Sequence, residues 1–280
     1  FQAEDGIRDR SPSRGLGDVY KRQARRDIMT IAVLLKQVPD TTAKITVSGG
    51  RVDESAVGKW SMSPYDEYAL EYALQLKESG GGDLVAITCG PARASKILTD
   101  AAAVGADSLV HIVSDDSGID SSNTQSLLSS AVQRNGAEVV ICGKQAADTN
   151  AGSTGPGVAS ILGFTCVGMV SEVSAEGGGF VAMRTSPSGN EKVSVSKPCL
   201  FAFDKAATEM RRPNVRGIMM AKKKAVETLT PADLGVTIDS PRVTLESHSA
   251  PAEKPPGQKF EGADSVQTVV LKLREEANVI

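Results

Sequence analysis

Two histidines, one tryptophan and an aromatic content of 4% leave this chain poor in the residues most catalytic sites are built from. Neither His111 nor His248 belongs to a recognisable Ser-His-Asp or Cys-His set, and a satisfied structural role is expected of both. The four cysteines, Cys89, Cys142, Cys166 and Cys199, form no C-x-x-C pair and stand apart from the histidines. Zinc and iron–sulfur ligation are therefore not expected, and no metal site is nominated. Cys89, Cys142 and Cys199 lie in or at the ends of apolar runs, as buried free thiols of a reducing compartment do. No apolar stretch approaches the ~18 residues a membrane helix needs, so membrane insertion is not expected. The net charge of -3 gives no field suited to nucleic acid. Neither G-x-x-x-x-G-K-[ST] nor G-x-G-x-x-G occurs. These absences favour a binding or carrier protein over a hydrolase, and no catalytic residue is nominated.

What is present is a chain of 280 residues, 40% hydrophobic, sufficient for one sizeable core and an appendage. Residues 1–28 mix Arg, Asp, Gly and Ser without apolar periodicity, and an apolar strand begins just after Met29. They read as a disordered or artefactual extension: a secretory signal would have an apolar centre, and a mitochondrial presequence would lack Glu4, Asp5, Asp9 and Asp18.

From there strands and helices alternate. Apolar runs predict buried strands over 31–35, 83–89, 108–113 and 139–142, and a polar hairpin over 45–52 turns at Gly49-Gly50. Helical spacing predicts helices over 65–77, 92–104, 122–134 and 154–162. Asp115-Asp116 reads as a solvated turn. Beyond Gly163, short antiparallel strands are expected over 167–173, 180–184 and 192–196, then a buried strand over 199–203 returning to the main sheet. The fold class is thus α/β, a doubly wound, mostly parallel sheet with a small antiparallel addition. Residues 29–238 make that domain. Residues 239–280 make a Pro-rich tail ending in an amphipathic helix over 263–277, too thin in apolar residues to stand alone.

In such a sheet ligands gather beyond the strand ends where the winding reverses, here between the first and fourth strands. The loop Gly143-Lys144-Gln145-Ala146-Ala147-Asp148-Thr149-Asn150-Ala151-Gly152-Ser153-Thr154 is small and polar, and it opens into a helix. Backbone N–H groups there, with the Ser153 and Thr154 hydroxyls, suit an anion. The same residues read equally as a plain N-cap behind a flexible loop. Cys89-Gly90-Pro91 comes to the same edge, and Ser63-Pro64-Tyr65-Asp66 precedes the first crossover helix. Ile218-Met219-Met220 followed by Lys222-Lys223-Lys224 sets an apolar anchor beside a basic cluster, usually a solvated face but also suited to an acidic partner.

At these residues the chain resembles the electron-transfer flavoprotein beta subunit family over nearly all of 29–280. The motifs are Ile31-Ala32-Val33-Leu34-Leu35-Lys36-Gln37-Val38-Pro39-Asp40, Ser61-Met62-Ser63-Pro64-Tyr65-Asp66-Glu67, Ala86-Ile87-Thr88-Cys89-Gly90-Pro91-Ala92, Gly143-Lys144-Gln145-Ala146 with Asp148, and Gly217-Ile218-Met219-Met220-Ala221-Lys222-Lys223-Lys224. Ala232-Asp233-Leu234-Gly235-Val236 and the terminal Glu275 to Ile280 also fit. The resemblance implies that the sheet is of the adenine-nucleotide-binding type, and it implies a heterodimer with an alpha subunit holding most of an FAD, and an AMP buried in the beta subunit. Electrons would pass from acyl-CoA or related dehydrogenases of fatty-acid β-oxidation to a membrane quinone oxidoreductase. It implies that Leu34, Ser63, Pro64, Tyr65, Asp66, Cys89, Gly143, Lys144, Gln145, Asp148, Asn150, Gly152, Ser153 and Thr154 bind cofactor, with Tyr65 near flavin. It places partner recognition on 209–220, with Val215 as apolar anchor and Ile218, Met219, Lys222 and Lys223 beside it. The compartment implied is the cytoplasm in a bacterium or the mitochondrial matrix in a eukaryote. Ser63 departs from the usual Asn, Thr41 from a second flavin-facing Tyr, and the run 148–154 from the familiar D-D-D-C-N-Q-T. Bifurcating relatives hold a second FAD where others hold AMP. The rivals are a non-redox adenine-nucleotide module and an ATP-using enzyme of similar fold.

Overall fold

A computed structural model describes residues 29–80, 82–114, 119–205, 208–253 and 256–280. The predicted extension 1–28 and the Asp115-Asp116 turn lie outside the described residues. The described chain forms two compact units, one of residues up to Ile45 together with Glu54–Leu245, the other of Thr46–Asp53 with Glu246–Ile280.

The larger unit is built on a nine-stranded sheet. Its central strands are β1 (Thr30–Leu34), β6 (Asp83–Gly90), β7 (Ser108–Val113) and β8 (Val139–Gly143). Beyond them lie β9 (Thr165–Glu176), β10 (Gly179–Ser186), β11 (Gly189–Val195), β12 (Cys199–Phe203) and β13 (Glu227–Leu229). The order across the sheet is β11-β10-β9-β12-β8-β1-β6-β7-β13. All neighbours pair in parallel except β9 with β10 and β10 with β11. The chain thus winds outward from β1 through β6 to β7, then crosses back to β8 on β1's other side.

Both faces of the sheet are covered, which is why the central strands read as unbroken apolar runs. Ile31 and Val33 of β1 enter one core with Ala69 and Ala73 of α1 (Pro64–Gly80) and Ile97 and Leu98 of α2 (Ser95–Val104). Ala32 and Leu34, pointing the other way, join Leu127 and Ala131 of α3 (Ser121–Arg134) and Val158 and Ala159 of α4 (Thr154–Leu162). Burying a side chain such as Ile31, at 0% exposure, contributes ~1.5–3 kcal/mol. Tyr72 of α1 stacks on Phe203 of β12, ring centroids 4.7 Å apart, and locks the first crossover helix onto the sheet.

The structure corrects several expectations. The strands after Gly163 extend the main sheet: β9 is longer than predicted, runs 165–176, and pairs in parallel with β12. The predicted helix from 92 divides into a 3-10 turn, Ala92–Ala94, and α2. The sequence pattern predicts neither the ribbon in which β2 (Gln37–Pro39) pairs antiparallel with β5 (Trp60–Met62), nor β13 and the short helix α5 (Val215–Ala221).

In the smaller unit, β3 (Val47–Ser48) and β4 (Arg51–Val52) form the expected hairpin. Gly49 and Gly50 take φ of 58° and 73°, the left-handed pair a two-residue hairpin turn requires. His248 ties the later segment to this hairpin, its N–H donating to Gly50 O at 2.8 Å and its Nδ1 accepting from Val52 N at 3.3 Å. The terminal helix α6 (Val266–Glu275) is shorter than predicted, with the 3-10 turn Ala263–Ser265 before it. It buries no residue, and Val266, Val270, Leu271 and Leu273 are exposed.

Candidate functional site

The point where the winding reverses lies between β1 and β8, and the C-terminal ends of these two strands define the crevice. The start of α1 is seated there. Ser63 N donates to Lys36 O at 3.0 Å just past the end of β1. Pro64 opens the helix, where its missing N–H costs nothing and its fixed φ suits the first turn. Asp66 follows in that turn, favoured by the positive end of the helix dipole.

Asp66 bridges the two strands. Its Oδ2 accepts from Lys36 N at 2.8 Å, and its Oδ1 accepts from Gly143 N at 2.9 Å, so one carboxylate ties the ends of β1 and β8 together. The side chain is buried, and desolvation pushes its pKa from near 3.8 up to about 7, against the opposing pull of the two N–H donors and of Lys36. The bridge leaves no room for a side chain at 143. A Cβ there would lie 2.5 Å from Asp66 Oδ1 and 2.7 Å from Tyr65 Cβ. Glycine at 143 is thus a requirement of close approach.

The loop leaving β8 is held by polar pairs. Lys144 Nζ sits 2.8 Å from Asp204 Oδ1 at the end of β12 and 5.0 Å from the Tyr65 ring centroid. Lys36 Nζ reaches both oxygens of Asp148, at 3.0 and 2.7 Å, joining the two sides of the crevice. Gln145 Nε2 donates to Asn150 Oδ1 at 2.8 Å. Asn150 and Gly152 adopt positive φ of 52° and 65°, which turn the chain into α4. Gln125 of α3 holds the turn from outside through its bond to Ser153 O at 3.0 Å. At the helix entrance Ser153 makes no side-chain cap, and the Thr154 side chain is exposed. Cys89 lies at the end of β6 beside β1, and is half-buried. Leu34 packs into the core. Ser63 is wholly buried, and its hydroxyl has no hydrogen-bond partner among the described residues.

The predicted cofactor-binding residues therefore collect on the C-terminal ends of β1, β6 and β8, on the first turn of α1 and on the entry to α4. Lys36, Asp204 and Gln125 bond to these residues, and the sequence motifs do not single them out as binding residues. Lys36 and Asp204 directly follow predicted strands that end at this edge, which was the available signal; Gln125 carried none.

The predicted partner residues lie elsewhere. Asn214 caps α5, its Oδ1 accepting from Gly217 N at 2.7 Å. On this helix Val215, Ile218, Met219 and Met220 are exposed, with Lys222 and Lys223 just beyond. The preceding segment is tied to α1 by Arg211, whose guanidinium meets Glu71 Oε1 at 2.9 Å and Glu78 Oε1 at 2.5 Å. Burial alone would raise the Glu71 pKa, but the bonds from Arg211 outweigh it and hold the carboxyl below its ordinary value.

His111 Nε2 lies 3.1 Å from Gly90 O, a satisfied structural contact. An open depression of about 510 Å³ lies along β10 and β11, lined by Phe180, Lys192 and Val195 among others, and includes none of the predicted site residues. Among the described residues no helix is long and apolar enough to cross a membrane.

Sheet order defines a doubly wound α/β protein, with the predicted binding residues gathered at its switch point. Comparison with known proteins narrows this. The family model for the electron transfer flavoprotein domain matches residues 52–234. The chain is 31% identical over 258 residues to the electron transfer flavoprotein subunit beta of Bacillus subtilis, covering 90% of this chain and 100% of that protein. It is 32% identical over 254 residues to the same subunit of Bradyrhizobium diazoefficiens, covering 90% and 100%. The human subunit is 30% identical over 252 residues, covering 88% and 97%. The chain belongs to the electron transfer flavoprotein beta subunit family. As a member of that family it is an electron-carrier subunit rather than a catalytic enzyme; the family is one of flavoproteins, and the beta-subunit name of these relatives implies an alpha partner.

Proposed function

We propose that this subunit grips an adenylate, AMP in the simplest case, in the crevice between β1 and β8, and lends contacts to an FAD held mainly by the alpha subunit. The observation that carries the reading is the Asp66 bridge, which fixes both strand ends and forces glycine at 143. The residues present fit such a ligand. Ser63 offers a buried hydroxyl without a partner among the described residues, the entry to α4, which has no side-chain cap, offers backbone N–H groups, and Lys144, Gln145 and Asn150 line the approach. The nucleotide acts structurally, stabilising the fold by binding only its native form. When bound, the flavin supplies the redox chemistry. Tyr65, half-buried beside Lys144, excludes water from it and helps fix its orientation.

Electrons reach the flavin from acyl-CoA or related dehydrogenases and leave to a membrane quinone oxidoreductase. The exposed apolar face of α5, flanked by Arg212, Arg216, Lys222 and Lys223, suits brief docking on an acidic dehydrogenase surface. The exposed stripe Val266, Val270 and Leu273 of α6 suits burial against the alpha subunit. The protein acts in the cytoplasm of a bacterium or the matrix of a mitochondrion.

The test is co-production with the alpha subunit, followed by heat release of bound nucleotide and its identification by mass. A yellow heterodimer releasing FAD and AMP in equal amounts is expected. Two FAD per heterodimer would replace AMP by a second flavin, and a colourless product that turns over ATP would reject the reading.

A further inference from the structure

The short helix α5 does not hold itself in place. It has seven residues, below the length at which a helix is stable alone in water, and only Ala221 is buried. Its apolar side chains face outward, with Val215 at 76% and Met219 at 60% exposure. Packing on α2 and anchors beyond each end fix it. Gly217, in its first turn, packs so closely on α2 that a Cβ would collide with Ala103 O, and past its C-terminal end Lys224 Nζ donates to Ala106 O at 2.5 Å. On the N-terminal side Glu71 of α1, only 5% exposed, takes Arg211 N at 3.0 Å, Nε at 2.9 Å and Nη2 at 2.9 Å. Glu78 takes Nη1 of the same guanidinium. Gln75 joins in, donating to Glu71 Oε1 at 3.0 Å and to Thr208 Oγ1 at 3.2 Å. A buried carboxylate is costly unless paired and hydrogen-bonded, and Arg211 supplies both. The fork geometry of guanidinium makes the contact directional, which a lysine would not reproduce.

We propose that Arg211 is a positioning residue for electron transfer: clamped between Glu71 and Glu78, it presents α5 in its docking orientation before a dehydrogenase arrives. The proposal rests on the reading of α5 as the docking surface. Because α1 carries Asp66 in its first turn and Glu71 at the start of its third, one helix sets both the crevice and the docking segment. Preorganisation removes an ordering cost from association, so loss of the clamp weakens docking without touching the electron-transfer step itself.

The experiment uses the complete heterodimer as electron acceptor for a medium-chain acyl-CoA dehydrogenase supplied with octanoyl-CoA. Arg211→Ala is expected to raise the KM for the heterodimer on the order of tenfold with kcat unchanged. Adenylate content should stay the same. Amide hydrogen exchange over 214–224 should accelerate while that over 139–143 does not. Arg211→Lys should recover only part of the loss. If Arg211→Ala fails to fold, Glu71→Gln, which keeps the shape and removes the charge, takes its place. Unchanged exchange over 214–224, or faster exchange with an unchanged KM while Val215→Ser raises it, overturns the clamp. Loss of adenylate together with kcat overturns it too, since the role would then be general stability. If Val215→Ser also leaves KM unaltered, or the wild-type heterodimer is not reduced, the docking reading itself fails and the clamp falls with it.

Discussion

Asp66→Asn, compared with the natural protein across pH, reads the strand bridge directly. The Asp66 carboxyl has a pKa near 3.8 when exposed and about 7 in the folded chain, because burial costs the charged form more than its two N–H donors return. Between those values the folded protein keeps a proton that the unfolded chain releases. A group raised in this way adds most stability below pH ~4, and that contribution declines as pH rises through ~4 to 7. The difference of roughly three pH units corresponds to about 4 kcal/mol, at 1.36 kcal/mol per unit. Asparagine is near in shape and does not titrate. It leaves one of the two N–H donors without an acceptor, a cost of ~1–3 kcal/mol that does not vary with pH. Denaturant unfolding of both proteins from pH 4.5 to 8 gives two stability curves, and all other titrating groups cancel in their difference. The natural protein should lose ~3–4 kcal/mol relative to the variant over this range. Parallel curves would refute the argument, since Asp66 would then be ionised at an ordinary pH and the crevice would be wetter than its burial implies.

Two further outcomes follow from the same geometry. Gly143→Ala places a methyl 2.5 Å from Asp66 Oδ1 and 2.7 Å from Tyr65 Cβ. It should cost about 2 kcal/mol or more in unfolding free energy and strip the heterodimer of adenylate, read by denaturation and by nucleotide content. The double change Val270→Asp with Leu273→Asp alters side chains that are exposed in this chain. It should leave the isolated subunit's stability within ~0.5 kcal/mol per site while weakening association with the alpha subunit at least tenfold by sedimentation.

Much of this architecture was legible because it is periodic. The runs around Ile31, Leu84, Leu109 and Val139 are continuous because both sheet faces are covered, and these became β1, β6, β7 and β8. The reversal between β1 and β8 followed from the alternation, and with it the edge where Gly143, Cys89 and Tyr65 meet. What was hidden is non-local or short. Asp66 and Gly143 are 77 residues apart, and Glu71 and Arg211 are 140, so neither contact leaves a spacing to read. β13 has three residues with only Leu229 buried, and takes its place by pairing with β7 rather than by any pattern of its own. The helix α5 presents its apolar residues outward, the reverse of amphipathic logic, and its one local sign was Asn214 three residues before Gly217. The ribbon of β2 and β5 was obscured by Pro39, tolerated there because the ribbon has only two strands and leaves edge positions free.

The proposed function depends above all on where the adenylate sits. Photolabelling of the purified heterodimer with 8-azido-AMP, after exchange of the bound nucleotide, tests it most directly when labelled peptides are mapped by mass. Attachment within 63–66, 89–91 or 143–154 of this chain, suppressed by excess AMP, is the predicted result. Labelling that falls instead on β10 and β11, or only on the alpha subunit, would contradict it.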